Sequence, residues 1–260
     1  MAQASNTALI TGASAGIGRD LAKLFAQDHY NLVLVARNTA RLAQVATELQ
    51  RQFGVNAKSF PLDLADRAAP QFLFDQLARE NVSIDVLVNN AGFGKLGAFA
   101  DVPYAESAGQ IDLNITALTH LTKLFLAPML ERKSGRILNV ASTAGFQPGP
   151  LMAVYYATKA YVISFSEALA NELQGTGVTV TCLCPGATDT EFQTRAGTEQ
   201  TPLFRRMRPM DSATVARDGY RALMKGKPLA ISGLRNRLLM ESLRLSPRRL
   251  ATVVSRKVLE

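Results

Sequence analysis

Cysteine, histidine and long apolar runs are all scarce in this sequence of 260 residues. The 2 cysteines, Cys182 and Cys184, stand at alternate positions of an apolar run, so a strand there would put both on one face. That suits a buried core surface better than a disulfide, and too few ligands accompany them for a metal site. Neither His29 nor His120 joins any constellation of catalytic or ligating groups. The first residues hold no basic stretch followed by an apolar core, and no run approaches the ~18 apolar residues of a membrane span. A cytoplasmic protein is the expectation. No Gly-Lys-Ser/Thr is present, which argues against a triphosphate-binding P-loop, and there is no internal repeat, low-complexity tract or interdomain linker.

What is present is the composition of a globular protein, with 47% hydrophobic and 19% charged residues, in a length that suits one large α/β domain. The net charge of +8 is uneven: residues 201–260 hold 14 Lys+Arg against 4 Asp+Glu, whereas residues 1–200 hold 15 against 17. The basic character therefore belongs to the C-terminal part.

Short apolar runs alternate with amphipathic stretches. Residues 7–11 read as a strand that runs through glycines into a helix over 17–27, with Leu21, Leu24 and Phe25 at helical spacing. Strand and helix recur at 32–36 and 39–53, then at 55–61 and 67–80, the latter with Asp66 as N-cap. A strand at 84–89 precedes a long helical stretch over 104–132, broken near Gly109. Further strands are expected at 136–141, 178–184 and 229–232, and helices at 155–173 and 212–224. Parallel strands need crossovers, and right-handed crossovers place helices on both faces. The pattern therefore predicts a doubly wound, Rossmann-type α/β fold of about seven parallel strands flanked by helices. Residues 1–232 would form this single domain, with residues 233–260 as a basic tail packed on it or extending from it. Such sheets bind ligands beyond the carboxyl ends of their strands.

The turns after those strands carry the polar chemistry. In Thr11-Gly12-Ala13-Ser14-Ala15-Gly16-Ile17-Gly18, Gly12 permits a tight exit, Gly16 lets a pyrophosphate approach the backbone and Gly18 lets helix and sheet pack closely. The helix that follows offers free N–H groups and a positive dipole to phosphates; an ordinary tight turn is the plainer reading. The second strand ends in Arg37-Asn38, where an NAD-binding sheet would offer a carboxylate to the ribose. Arg37 could instead pair with the 2′-phosphate of NADP, or be a solvated surface arginine. Asp63-Leu64 after the third strand suits an adenine, or a turn. Asn89-Asn90-Ala91-Gly92 after the fourth suits a cofactor crevice, or a turn. Ser142 closes the fifth strand, and Pro185-Gly186 is an abrupt exit from the sixth.

Tyr155 and Lys159 are four apart, so a helix sets them on one face. An ammonium beside a phenol favours the phenolate; bringing a tyrosine from a pKa of ~10 toward neutrality takes ~3 units, about 4 kcal/mol. The result would be a proton donor and acceptor for carbonyl and alcohol chemistry, although Tyr and Lys at this spacing also occur as an exposed surface pair.

Together, TGxxxGIG at Thr11 to Gly18, NNAG at Asn89 to Gly92, Ser142, Tyr155-x-x-x-Lys159 and Pro185-Gly186 resemble the short-chain dehydrogenase/reductase family over roughly residues 5–232. The resemblance implies that Tyr155 is the general acid in reduction and the base in oxidation. Lys159 would bind the nicotinamide ribose and depress the tyrosine pKa, and Ser142 would hydrogen-bond the carbonyl or alcohol oxygen. It further implies that the main-chain carbonyl of Asn114 holds a water of a proton relay. Gly12, Gly16, Ile17 and Gly18 belong to its glycine turn; Asn90, Ala91 and Gly92 line the cofactor, and Asp63 and Leu64 meet its adenine end. Thr188 contacts the carboxamide, and Thr190 matches a threonine near the phosphates. Many NADP-using relatives place a basic residue inside the glycine turn, where this chain has Ala15, so selectivity for NADP(H) would rest on Arg37 with help from Ser14 and Asn38.

The implied function is an NADP(H)-dependent carbonyl reductase or alcohol dehydrogenase, with a catalytically silent NADP-binding sensor or scaffold as the alternative. The family is often a homodimer or homotetramer, and nucleic acid is not an expected partner because the basic segment lacks interleaved aromatics. Tyr156, three from Lys159, is read as a packing or pocket residue. Phe93, Phe146, Leu151, Met152, Phe192 and Phe204 would supply either an apolar substrate wall or core, and the stretch 188–210 suits a lid. The tail mixes leucines and valines with basic residues, which fits a helix at an anionic membrane surface, a subunit contact or a solvated cap on the sheet edge.

Overall fold

The structure, a computed structural model, describes residues 6–202, 209–243 and 246–260. Three apolar residues between two threonines give β1 (Thr7–Thr11), buried along its whole length, as a strand covered on both faces must be. After it come α1 (Gly16–Gln27), β2 (Asn31–Ala36), α2 (Thr39–Phe53), β3 (Ala57–Pro61), α3 (Ala69–Arg79) and β4 (Val86–Asn89). The second half holds α4 (Tyr104–Ile111), α5 (Leu118–Glu131), β5 (Gly135–Val140), α6 (Ala153–Glu172) and β6 (Val178–Cys184). Then follow β7 (Thr188–Asp189), α7 (Phe192–Ala196), β8 (Met210–Asp211), α8 (Ser212–Met224) and β9 (Leu229–Ile231). The chain closes with α9 (Leu234–Leu243) and α10 (Arg248–Leu259).

Seven strands pair in the order β3-β2-β1-β4-β5-β6-β9, and every pairing is parallel. Side chains alternate across the sheet. Ala8, Ile10, Val86 and Val88 face α1, α2 and α8 through Phe25, Leu42 and Val215, whereas Leu9, Val33 and Leu87 face α3 and α5 through Leu73, Leu77 and Phe125. Burying one such side chain stabilises the fold by ~1.5–3 kcal/mol, so a single-residue slip of a central strand would exchange two apolar cores at once. Strand order reverses between β1 and β4, which leaves a crevice at their carboxyl ends, beside Thr11 and Asn89.

Two local expectations are corrected. Asp66 does not cap α3: its carboxylate accepts from the Ala68 amide at 2.9 Å, in a turn that precedes a helix opened by Ala69-Pro70, proline being favoured at a first turn because its missing N–H has no partner there. The 104–132 stretch does not break at Gly109, where an added Cβ would stand 3.3 Å from the Phe93 ring; glycine there admits a close neighbour. The irregularity lies later, in a π-helical segment over Asp112–Ala117 that joins α4 to α5. Among the described residues no helix is long and apolar enough to cross a membrane.

Candidate active site

The glycine turn is held from three sides. Gly12 donates to Val35 of β2 at 2.8 Å. Asn90 Nδ2 donates to the carbonyls of Thr11 (2.9 Å) and Gly12 (3.3 Å), and the Thr11 hydroxyl accepts from the amides of Asn90 and Ala91. Gly12 and Gly16 have φ of +67° and +53°, the left-handed region where a side chain is strained. Gly18 is smaller for a different reason: an added Cβ would lie 2.3 Å from the Gly12 carbonyl oxygen, so it permits α1 to seat under the turn. Ala15, the N-cap of α1, supplies no capping side chain, and the first turn carries no acidic residue. The amides at this helix end and their dipole are thus directed at whatever fills the crevice.

A cavity of about 640 Å³ opens there. Gly12, Ser14, Gly16, Ile17, Arg37, Asn38, Asp63, Leu64, Asn90, Ala91 and Gly92 line it together with Ser142, Tyr155, Lys159, Pro185, Gly186, Thr188 and Thr190; Thr190 stands against Gly16, and Lys159 beside Gly92. Gly18 and Asn114 stand behind the wall. Asn89 belongs to the core: its amide donates to Thr122 and Asn139, and Asn139 donates to Ser166, a buried polar chain that ties β4 and β5 to the helices on one face. Asn38 is the N-cap of α2, accepting from Arg41, while Asp63 makes a turn by accepting from Ala65 and faces Arg37 at 3.6 Å.

Ser142 is placed by the exit of β5, where its hydroxyl accepts from the Ala144 amide at 3.1 Å. It lies close enough to the Tyr155 phenol to lower its pKa somewhat. One turn on, Lys159 is buried and its Nζ donates to the Val140 carbonyl at 2.9 Å, 5.8 Å from the centre of the Tyr155 ring. The expected depression of the tyrosine pKa is not found in this state. Burial holds the phenol above its ordinary value, with Ser142 opposing, because removing a phenolate from water outweighs the remaining favourable contacts. Burial also lowers Lys159 to about 8. The buried thiols of Cys182 and Cys184, not joined by a disulfide but in hydrogen-bond contact at 3.8 Å, lie in the apolar cluster of β6 and α6.

This shift has a measurable consequence. Lys159 is lowered from 10.5 to about 8, so above the lower value the unfolded chain holds more protons and stability rises with pH, and it is lost again as pH falls through about 8. Burial also raises Tyr155 and Tyr156 above 10.0; their contribution is complete below that value and lost above it. Urea midpoints should therefore climb between about pH 8 and pH 9.5, and the climb should be much reduced in Lys159→Met. An equal climb in both proteins would refute the assignment.

Asn114 is buried in the π-helical segment, where its side chain accepts from the Phe93 amide (3.1 Å) and donates to the Phe93 carbonyl (2.9 Å) and Thr158 (3.0 Å). It pins the chain after β4 to α6. The Leu118 amide, which an α-helix would direct to the Asn114 carbonyl, bonds the Ile115 carbonyl instead where the π segment passes into α5; π segments recur at functional sites.

Chemically, a phenol, a hydroxyl and an amine lining one cavity with a glycine-bordered helix terminus suit proton transfer beside a bound dinucleotide. Residues 6–201 match the short chain dehydrogenase family. The chain belongs to the short-chain dehydrogenase/reductase family. Sulfoacetaldehyde reductase 2 of Chromohalobacter salexigens is 38% identical over 218 residues, 82% of this chain and 86% of that protein. Ketoacyl reductase HetN of a Nostoc species is 38% identical over 180 residues, 69% of this chain, but the match spans only 62% of its own length. A solved short-chain dehydrogenase from Sphingobium yanoikuyae, in complex with NADPH, superposes with a TM-score of 0.83 at 32% identity, over 94% of each chain. Short-chain dehydrogenases/reductases are oxidoreductases, and this chain has their seven-stranded parallel sheet.

Of the aromatic and apolar wall expected for this family member, Phe93, Met152 and Phe192 line the cavity, with Phe192 5.2 Å from Tyr155, centre to centre. Phe146 instead ends a 3-10 turn and is half-buried against the cluster that holds Val162 and Cys182. Leu151 is absent from the lining and holds a left-handed φ of 65°; Phe204 lies outside the described residues. Tyr156 is buried against Met152, Ala196 and Leu259. The sequence reading missed the tail's part in the wall: Leu239, Met240, Leu243, Val254, Ser255 and Val258 all line the cavity. The leucines and valines of the tail were visible in the sequence, but not which surface they would meet.

Proposed function

We propose that the protein is an NADP(H)-dependent oxidoreductase that interconverts a carbonyl and a secondary alcohol, with Tyr155 as general acid and base. The convergence of Ser142, Tyr155 and Lys159 in the cavity that the glycine turn also lines carries this reading. The crevice residues fit a dinucleotide, because the glycine turn lines the cavity and α1 presents its first-turn amides there without a capping side chain. When bound, the nicotinamide donates or accepts the hydride. In reduction Tyr155 gives its proton to the carbonyl oxygen as the carbon takes the hydride, and Ser142 orients that oxygen. Lys159 holds the ribose, and the Asn114 carbonyl holds a water that returns the proton. Thr188 and Thr190 would contact the carboxamide and phosphates of the bound cofactor, and Pro185 and Gly186 line the same cavity.

A phenol held above its usual pKa stays protonated through neutrality, so the reading implies reduction that is flat across neutral pH and oxidation that rises with it. Loss of NADPH absorbance with a panel of ketones, aldehydes and acyl thioesters tests the activity; no turnover with any of them would count against it.

For the cofactor's 2′-phosphate the chain offers Arg37, exposed beside Asp63, with Ser14 and Asn38 near it. A dianionic phosphate competes well against one carboxylate at that range. Arg37→Ala is expected to lower kcat/KM with NADPH ~10–100-fold, the worth of a charge-assisted hydrogen bond of ~1.5–3 kcal/mol, and to leave NADH kinetics unchanged. Equal losses with both cofactors would remove Arg37 from this role.

A further inference from the structure

Half of the 12 large hydrophobic residues exposed among the described residues sit on the two C-terminal helices: Leu234, Leu238 and Leu239 on α9, and Leu250, Val253 and Val254 on α10. Isolated exposed apolar residues are ordinary; six on two adjoining short helices are a concentrated patch. Two of them have a second role. Leu239 is 48% exposed and Val254 52%, yet both also line the cavity that reaches Tyr155. The apolar patch therefore borders the cavity through these two side chains. The opposite sides of the same helices face inward: Met240 and Leu259 are buried, and an added Cβ on Gly186 would stand 2.4 Å from Asn236 of α9, which fixes the pair to the exit of β6.

Charge surrounds the patch. Arg235, Arg237, Arg248, Arg249, Arg256 and Lys257 are all exposed on α9 and α10. The tail's basic excess contrasts with residues 1–200, which hold 15 Lys+Arg against 17 Asp+Glu. An anionic surface would attract this end of the molecule and leave the body outward, which sets an orientation as well as an attraction. An acidic protein partner would match the arginines but leave the leucines and valines against water or a second apolar surface. A lipid interface satisfies both, with anionic headgroups at the guanidinium rim and acyl chains under the apolar side chains.

We infer that α9 and α10 dock the protein peripherally on an anionic lipid bilayer, with the side of the cavity that they line facing the membrane, so that the carbonyl substrate is an apolar one taken from the lipid phase. The docking half stands on the surface alone; the substrate half rests on the proposed carbonyl chemistry. Sedimentation of the full-length protein with phosphatidylcholine vesicles, with and without phosphatidylglycerol, separates the two, since binding requires no turnover. The wild type should pellet with the phosphatidylglycerol vesicles and not with phosphatidylcholine alone, and should be released by salt. Leu238→Asp with Val253→Asp, positions outside the cavity lining, should weaken vesicle binding at least about tenfold and leave turnover of a short water-soluble ketone unchanged. Turnover of a long-chain ketone carried in the anionic vesicles should fall with binding. Charge reversal at Arg248 and Arg249 provides a second variant if the first does not fold by circular dichroism. Failure of the wild type to bind anionic vesicles would overturn the inference while leaving the hydride-transfer reading intact. So would a wild-type dimer that the apolar variant turns into a monomer, which would mean that a second copy covers the patch, or binding that only an acidic carrier protein elicits. Vesicle binding without any carbonyl turnover would retain the docking and remove the substrate half.

Discussion

Replacing Tyr155 with Phe is expected to lower kcat ~10³-fold while leaving the NADPH dissociation constant within about twofold, because a positioned proton donor contributes ~10²–10⁴-fold. The substitution deletes one oxygen and keeps the ring, whose contacts are extensive: it lies 5.2 Å from Phe192 and 6.2 Å from Tyr156, centre to centre. Losing the hydroxyl also removes a buried polar group that burial holds protonated, so thermal stability should change little or rise slightly. Single-turnover kinetics with NADPH, paired with fluorescence titration of the cofactor, separates chemistry from binding. A silent sensor would show no turnover in the wild type and unchanged cofactor affinity in the variant. A variant that keeps more than about a tenth of wild-type turnover would remove the phenol from the general acid/base role.

Gly12→Ala is expected to cost both stability and cofactor, and a second glycine in the same chain supplies the control. Gly12 and Gly54 have nearly the same backbone, φ +67° and +69°, but an added Cβ on Gly54 meets nothing within 4 Å. On Gly12 it meets Asn90 Nδ2 at 2.7 Å and the Ala91 backbone at 3.1 Å. Gly54→Ala should therefore report the dihedral cost alone, ~1 kcal/mol. Gly12→Ala adds displacement of the Asn90 amide from the carbonyls of Thr11 and Gly12, and should cost ~1–3 kcal/mol more, the range for loss of buried hydrogen bonds. NADPH affinity should fall at least about tenfold in Gly12→Ala and stay unchanged in Gly54→Ala. Equal urea midpoints and equal NADPH affinity in the two variants would show that the crowding at Gly12 is relieved without consequence.

The contrast between Asn89 and Asn90 shows how far the sequence reading reaches. Both stand at a strand end beside a glycine, and spacing alone assigns either of them to a crevice. In the fold, Asn89 points into the core toward Thr122 and Asn139, while Asn90 fastens the glycine turn. Successive strand residues point to opposite faces, and which face is core depends on helices more than 30 residues away in the chain. Phe93 and Phe146 differ in the same way, one in the cavity wall and the other against the cluster under α6.

The sequence by itself determined the alternation of strands and helices, the glycine turn after β1, the register of Tyr155 with Lys159 and the confinement of basic charge to the C-terminal part. Each of these is written in local periodicity or in the demands of a single turn, which neighbouring residues satisfy on their own. Only the tertiary structure decided that Tyr155 is buried enough to raise its pKa rather than lower it, that the irregular turn lies at Asn114 rather than Gly109, and that the tail lines the cavity. Desolvation and enclosure depend on everything packed around a group, so residues far apart in sequence set them together, and no local pattern contains them.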